Sequence, residues 1–221
     1  MKLSIVILSY NTKDLIINCL KSITTWYSKE LENNDIEIII VDNASTDDSV
    51  LSIKKQVLSI KNLHIVGNKE NFGFAKGCNV GANESQGRYI LFLNSDTQVQ
   101  DDGFLRMTKF LDEHNEIGIL GGRLLNPDGS AQASVGKFYS LFNLFLMLLG
   151  AERFGMLRRS PRKAIPVDWV SGACMAVRRS VFEKLKGYDE HFFMYMEDME
   201  LCFRAKKLGY GTYFYPDVKL T

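Results

Sequence analysis

The chain has 221 residues, 46% hydrophobic and 24% charged, which excludes a disordered chain, a collagen and a coiled coil and leaves room for one large domain with its own core. Basic residues number 27 and acidic residues 26, so the chain has no global field for gripping nucleic acid. An anionic ligand must be held locally, by backbone N–H groups or by a metal ion.

The first half alternates between two kinds of segment. Residues 3–8 are a β-branched apolar run that ends at Ser9-Tyr10-Asn11 and reads as a buried strand, too short for a signal peptide. Residues 13–26 place Leu15, Ile16, Cys19, Leu20 and Ile23 at helical spacing, with Asn11 or Thr12 as N-cap. A strand at 36–41 ends at Asp42, and a helix is predicted at 47–58. A short strand at 63–66 and a small-residue helix at 74–84 follow. A strand at 88–93 ends at Asn94-Ser95-Asp96, then come a helix at 103–114 and a strand at 117–120. Strands that are apolar throughout and separated by helices predict a mostly parallel sheet covered on both faces. Ligands in such sheets bind at the carboxyl ends of the strands, where three polar clusters would meet.

The second half changes character. Asn126-Pro127-Asp128-Gly129 is a turn by composition. The apolar stretch 138–151 is too short to span a bilayer and is followed by Arg153, Arg158, Arg159, Arg162 and Lys163. It reads as a core helix with a solvated basic loop, ahead of the alternative of an interfacial helix touching anionic lipid. Residues 167–178 are extended, 179–185 and 199–208 helical, and 211–215 a last strand. The cysteines (Cys19, Cys78, Cys174 and Cys202) form no CxxC, and His64, His114 and His191 are unclustered. Free buried thiols in a reducing compartment follow, with no zinc site.

Five motifs stand in order: SYN, VDNASTDDS, NFGFAKGCNVGAN, FLNSDT and VSGACMAVRRSVFEKLKGYDEHFFMYMEDMELCFR. The third is Gly-rich but is neither a Walker loop nor GxGxxG, which disfavours a Rossmann-type dehydrogenase. Together they resemble glycosyltransferase family 2, and most closely its rhamnosyltransferase-like branch. The resemblance runs over essentially the whole chain. It implies one α/β domain of the GT-A fold, Rossmann-like with helices on both faces, with a nucleotide-binding half (1–122) and an acceptor-binding, catalytic half (123–221).

The resemblance also implies roles. Asp96 takes the place of the metal-binding aspartate of a DxD motif, holding Mg²⁺ or Mn²⁺ against a nucleotide diphosphate. Asn94 replaces the first carboxylate of that motif. Asp42 would bond the base or ribose, and Ser9, Tyr10, Asn11, Asn71, Gly73, Asn79, Asn94 and Ser95 would line the nucleotide. Tyr10 either packs on the base or joins the core. Lys76 either touches phosphate or is a solvated charge. Asp198 would be the general base toward the acceptor hydroxyl, with Glu197 in support; acids at a helix start also complement the dipole. Trp169 and Gly172 would line the acceptor or sugar pocket, Trp169 being equally a core residue by type.

The implied function is inverting transfer of a sugar from dTDP-rhamnose or a UDP-sugar to a glycan or lipid-linked glycan acceptor. That suits cell-surface polysaccharide or glycolipid synthesis in the cytoplasm, with peripheral membrane contact. The alternative is a catalytically weak or inactive nucleotide-binding module of the same fold. In related sequences a histidine beyond the last strand completes the metal site; on that comparison this sequence, ending at Thr221, stops short of it.

Overall fold

The computed structural model describes residues 1–49, 52–54, 60–141, 143 and 158–221. Its centre is an eight-stranded sheet. In chain order the strands are β1 (Leu3–Ser9), β2 (Ile36–Asp42), β3 (Leu63–Gly67), β4 (Tyr89–Asn94), β5 (Ile117–Leu124), β8 (Ile165–Val167), β10 (Cys174–Arg178) and β11 (Gly211–Leu220). Their spatial order is β3-β2-β1-β4-β10-β5-β11-β8. Strands β6 (Val135–Gly136), β7 (Arg158–Arg159) and β9 (Trp169–Val170) form a second, three-stranded sheet in the order β7-β6-β9.

The helices are α1 (Lys13–Glu32), α2 (Gly73–Glu84), α3 (Gly103–Glu113), α4 (Arg179–Lys184) and α5 (Glu197–Lys207). They cover both faces of the sheet, which is why its strands are apolar throughout. Leu3, Ile5 and Ile7 of β1 pack with Ile16, Leu20, Phe104 and Met107 on one side. Val6 packs with Ala75, Cys78, Val181 and Leu201 on the other. All four cysteines are free and buried, as expected for core thiols. No described helix is long and apolar enough to cross a membrane.

The parallel register matters most for function. Ser9 pairs with Asp42 and Leu8 with Asn94, so the ends of β1, β2 and β4 lie along one edge. The one antiparallel strand in the middle, β10, is wedged between β4 and β5. Running the opposite way, it begins at the edge where its neighbours end: Cys174 pairs with Leu93, and the Asn94 amide donates to the Ala173 carbonyl at 3.1 Å. This reversal brings the second half of the chain to the polar edge of the first.

Several elements outrun their sequence signals. Helix α1 continues to Glu32 through a kink at Tyr27 (φ −125°, ψ 20°), because Tyr27 and Leu31 extend its buried stripe. Strand β5 reaches Leu124, and β11 reaches Leu220 through a register shift after Tyr215. Helix α5 starts at Glu197, two residues before its predicted start, so both acids sit in its first turn. In the helix predicted at 47–58, residues 49 and 52–54 are helical and the remainder of its core falls outside the described residues. Most of the apolar stretch 138–151, and Arg153, also fall outside them.

Candidate active site

Backbone turns build the edge, and asparagines lock them together. Asn11, with φ 53°, places its Oδ1 to accept from the amides of Thr46 (2.8 Å) and Asp47 (3.3 Å). The β1 and β2 loops are thus tied to each other. Asn43 is buried and uses its whole amide: Nδ2 donates to Asn71 Oδ1 (2.7 Å) and the Gly73 carbonyl (3.2 Å), and Oδ1 accepts from Asn68 Nδ2 (3.0 Å) and the Phe72 amide (3.1 Å). The Gly-rich loop is therefore fastened to the end of β2.

Gly73 begins α2 at φ +78°, and a Cβ there would lie 2.3 Å from the Phe193 carbonyl oxygen. That oxygen accepts from the Phe74 amide at 2.6 Å, so the loop before α5 docks on the first turn of α2.

Asp42 is buried at the edge. Its Oδ2 accepts from the Ser45 amide at 3.1 Å, while its Oδ1 is buried with no hydrogen-bond partner. A buried carboxylate oxygen left unpaired is costly, and a ligand N–H or hydroxyl would satisfy it. Ser9 is buried with its hydroxyl 2.8 Å from that of Thr12. Tyr10 is 45% exposed, so its ring is open at the edge and not part of the core.

The turn after β4 opens on a cavity of about 270 Å³ lined by Asn94, Asp96, Ser134, Arg158, Ser171 and Thr221, among others. Asp96 is exposed and Ser95 buried. Among the described residues no group of three or more His, Cys, Asp or Glu converges. A single exposed carboxylate beside a cavity fits a hard cation that takes most of its oxygens from phosphate and water.

Across the turn at Ser171, the Gly172 amide donates to Asp198 Oδ2 at 3.0 Å, and the Met199 amide donates to Oδ1 at 2.7 Å. Burial pushes the Asp198 carboxyl above the usual aspartate range; these N–H groups and the charge of Arg158 oppose that. Glu197 beside it is buried, and its Oε2 lacks a partner. Burial, then the charge of Asp198, pushes Glu197 up to about 7. Both acids add to the forces raising Tyr188, and Glu197 also to those raising Cys78, so the pair sits against the buried layer between α2 and α5. They differ in pairing: Asp198 accepts from two backbone amides, whereas Glu197 Oε2 has none. Tyr195 and Met196, just before them, have φ 69° and 73°, and this left-handed pair makes the sharp entry into α5.

Two of the predicted site residues have packing or structural partners. Trp169 is 4% exposed within the core, and its Nε1 donates to the Lys137 carbonyl at 3.0 Å, so its ring is structural. Asn79 is also committed: Nδ2 donates to the Tyr188 carbonyl (2.9 Å) and Glu190 Oε1 (3.1 Å), and Oδ1 accepts from the Tyr188 amide (2.8 Å). It joins α2 to the segment before α5, away from the cavity. Lys76 lies 4.0 Å over the Phe72 ring. Asn43 and Ser134 carry no sequence signal that marks them as part of the site. Arg158 was visible only as one of several basic loop residues, since two-residue strands leave no periodicity to read.

The Glycosyl transferase family 2 model matches residues 4–186. A low-salt glycan biosynthesis hexosyltransferase of Haloferax volcanii is 27% identical over 213 residues, covering 93% of this chain and 62% of that protein. An N-acetylglucosaminyl-diphospho-decaprenol L-rhamnosyltransferase of Mycobacterium tuberculosis is 28% identical over 207 residues, covering 84% of this chain and 66% of that one. The chain thus spans somewhat under two thirds of the length of these relatives. The structure of the mannosyltransferase PcManGT from Pyrobaculum calidifontis, in complex with GDP-Man and Mn²⁺, superposes with a TM-score of 0.70 at 18% identity, over 99% of this chain and 56% of that one. The shared architecture is the GT-A fold.

Proposed function

The chain belongs to glycosyl transferase family 2, and from that premise we propose that it transfers a hexosyl group, rhamnose first among them, from a nucleoside-diphosphate donor to an acceptor hydroxyl with inversion. The observation that carries this reading is the convergence of Asp42, the Asn94-Ser95-Asp96 turn and Asp198 at one sheet edge. Each comes from a different element.

In this reading residues 1–122 hold the nucleotide. Asp42 accepts from the base or ribose through its unpaired Oδ1, and Ser9, Tyr10, Asn71 and Gly73 shape the surrounding edge. Asp198 takes the acceptor proton as its oxygen attacks the anomeric carbon, and Gly172 fixes the carboxylate that does so. General-base action of this kind contributes about 10²–10⁴ in rate. Glu197 supports the turn from beneath and does not take the proton. Asp96 would hold Mg²⁺ or Mn²⁺, which supplies charge neutralisation at the departing diphosphate. The Mn²⁺ in the mannosyltransferase structure supports this choice of ion.

The acceptor is a lipid-linked glycan, presented at the cytoplasmic face of a membrane that the protein touches peripherally. Two observations support this. Phe193, Met194, Tyr195 and Met196 are 57%, 53%, 76% and 43% exposed immediately before the acids. The mycobacterial relative is named for a decaprenol-linked acceptor.

The test is transfer from dTDP-rhamnose, UDP-hexoses and GDP-mannose to polyprenyl-diphosphate glycans with Mn²⁺. A product of inverted anomeric configuration supports the reading. Nucleotide binding without transfer to any acceptor favours a binding module instead, a reading motivated by Asn94 in place of a carboxylate. Absence of nucleotide binding overturns both.

A further inference from the structure

The cavity beside Asp96 is also lined by Arg158 and Ser134, to which the reading above gives no contact with the donor. Gly136 of β6 pairs with Arg158 of β7 on one side and Trp169 of β9 on the other, which sets these residues in one row across the small sheet. The Arg158 guanidinium lies 5.4 Å from the centroid of the Trp169 ring. That ring is immobile, being buried and tethered through its N–H to Lys137. Stacking on a fixed aromatic face orients a guanidinium while leaving its N–H fork free for an anion. Arg158 forms no ion pair among the described residues and lines the same cavity as Asp96.

Ser134 is 3% exposed, its hydroxyl has no hydrogen-bond partner, and its carbonyl accepts from the Ser171 amide at 2.8 Å. Ser134 lines the cavity, and a buried hydroxyl without a partner asks for one from a ligand. Among the described residues, Arg158 and Asp96 are the only ones with charged side chains that line the cavity. A diphosphate beside Asp96 would meet like charge, and with Asn94 in place of a second carboxylate any cation there is held by less protein charge. A fixed guanidinium with an adjacent hydroxyl meets that need, because arginine binds phosphate oxygens bidentately.

We propose that Arg158, seated on Trp169, and Ser134 bind the diphosphate of the donor and take up its charge as it leaves. This rests on the nucleotide-sugar reading above. The guanidinium donates to phosphate oxygens and the Ser134 hydroxyl to one more. Both contacts strengthen as the bond from the sugar to the diphosphate breaks and negative charge gathers on that oxygen. Transfer therefore retains a component that does not depend on a divalent ion.

The experiment measures binding of dTDP, UDP, dTMP and UMP in EDTA by calorimetry, with wild-type protein, Arg158→Gln, Arg158→Lys and Ser134→Ala, the fold being checked by melting temperature. Arg158→Gln is expected to lose about tenfold or more in diphosphate affinity, Arg158→Lys less and Ser134→Ala severalfold, with the monophosphates much less affected. With donor and acceptor supplied, kcat should fall more than KM rises in Arg158→Gln. Equal diphosphate affinity in wild type and a folded Arg158→Gln overturns the proposal and leaves the nucleotide-sugar reading intact. Failure of the wild-type protein to bind any nucleotide overturns both.

Discussion

The Gly172 amide donates to Asp198 Oδ2 at 3.0 Å, and through that bond the turn entering β10 aims an acid carried by a helix more than 20 residues later. With the Met199 amide on Oδ1, the carboxylate is held at both oxygens. Two backbone donors favour the ionised form and oppose the upward push of burial. The result is a carboxylate held in one orientation.

Asp198→Asn should lower transfer by at least about 10²-fold while leaving nucleotide affinity unchanged, because Asp198 faces the acceptor side in the proposed mechanism. Initial rates and calorimetric nucleotide binding on the same preparation check this. In the wild-type protein, rate should fall with acid at a pH above the ordinary aspartate range, since burial raises Asp198. Near wild-type transfer by Asp198→Asn would remove Asp198 from the role of base.

Glu197 makes a separate prediction, on stability. Its carboxyl is ordinary in the unfolded chain, near 4.5, and raised to about 7 in the folded one. Between those values the folded state binds more protons than the unfolded state, so stability falls as pH rises. The contribution is fully present below about 4.5 and is lost by the time pH has risen through about 7. Its size is on the order of 3 kcal/mol. Melting temperature should therefore decline from pH 5 to pH 8 in the wild-type protein and flatten in Glu197→Gln. Identical pH profiles for the two would place the proton elsewhere.

The parallel core was legible because its signal is local. Apolar strands 36–41 and 88–93 ended at polar clusters, and parallel register alone carries such ends to one edge. What escaped depends on distant pairing. Nothing near Cys174 announces that β10 runs antiparallel between β4 and β5, since a short buried strand has the same pattern in either direction. Trp169 and Asn79 lie within motifs that point to the site. Yet Trp169 is consumed by the core and Asn79 by the backbone of Tyr188, and side-chain type alone does not reveal that competition. Asn43 is the converse case, a turn asparagine by sequence whose four hydrogen bonds reach Asn68, Asn71, Phe72 and Gly73.

That hub gives the third prediction. Asn43→Ala removes both the donor and the acceptor, leaving the Phe72 amide and Asn68 Nδ2 without their acceptor, while Asn71 Oδ1 keeps the Gly73 amide at 2.9 Å. The cost should be roughly 2–3 kcal/mol, since each buried group left unpaired carries its own desolvation penalty. Chemical denaturation measures it. Nucleotide affinity should fall as well, because residues 71–73 lose their anchor to β2. A variant with wild-type stability would mean that water replaces the asparagine without loss.

Asp96 supplies the last prediction. It is an exposed carboxylate on a cavity where, among the described residues, Arg158 carries the other charged side chain, and Asn94 adds only a neutral one. If Asp96 is the protein's carboxylate ligand for the cation, Mn²⁺ should tighten nucleotide-diphosphate binding in the wild-type protein and leave Asp96→Ala unchanged. The variant also removes a negative charge from beside the diphosphate. In EDTA it should therefore bind the nucleotide as well as the wild type or better, whereas a variant that had lost the site's shape would bind worse with and without the ion. Titrating dTDP or UDP in EDTA and in Mn²⁺ separates these two effects. Equal Mn²⁺ enhancement in both proteins would mean that the ion is held by the phosphates alone, and the charge argument would then rest on Arg158.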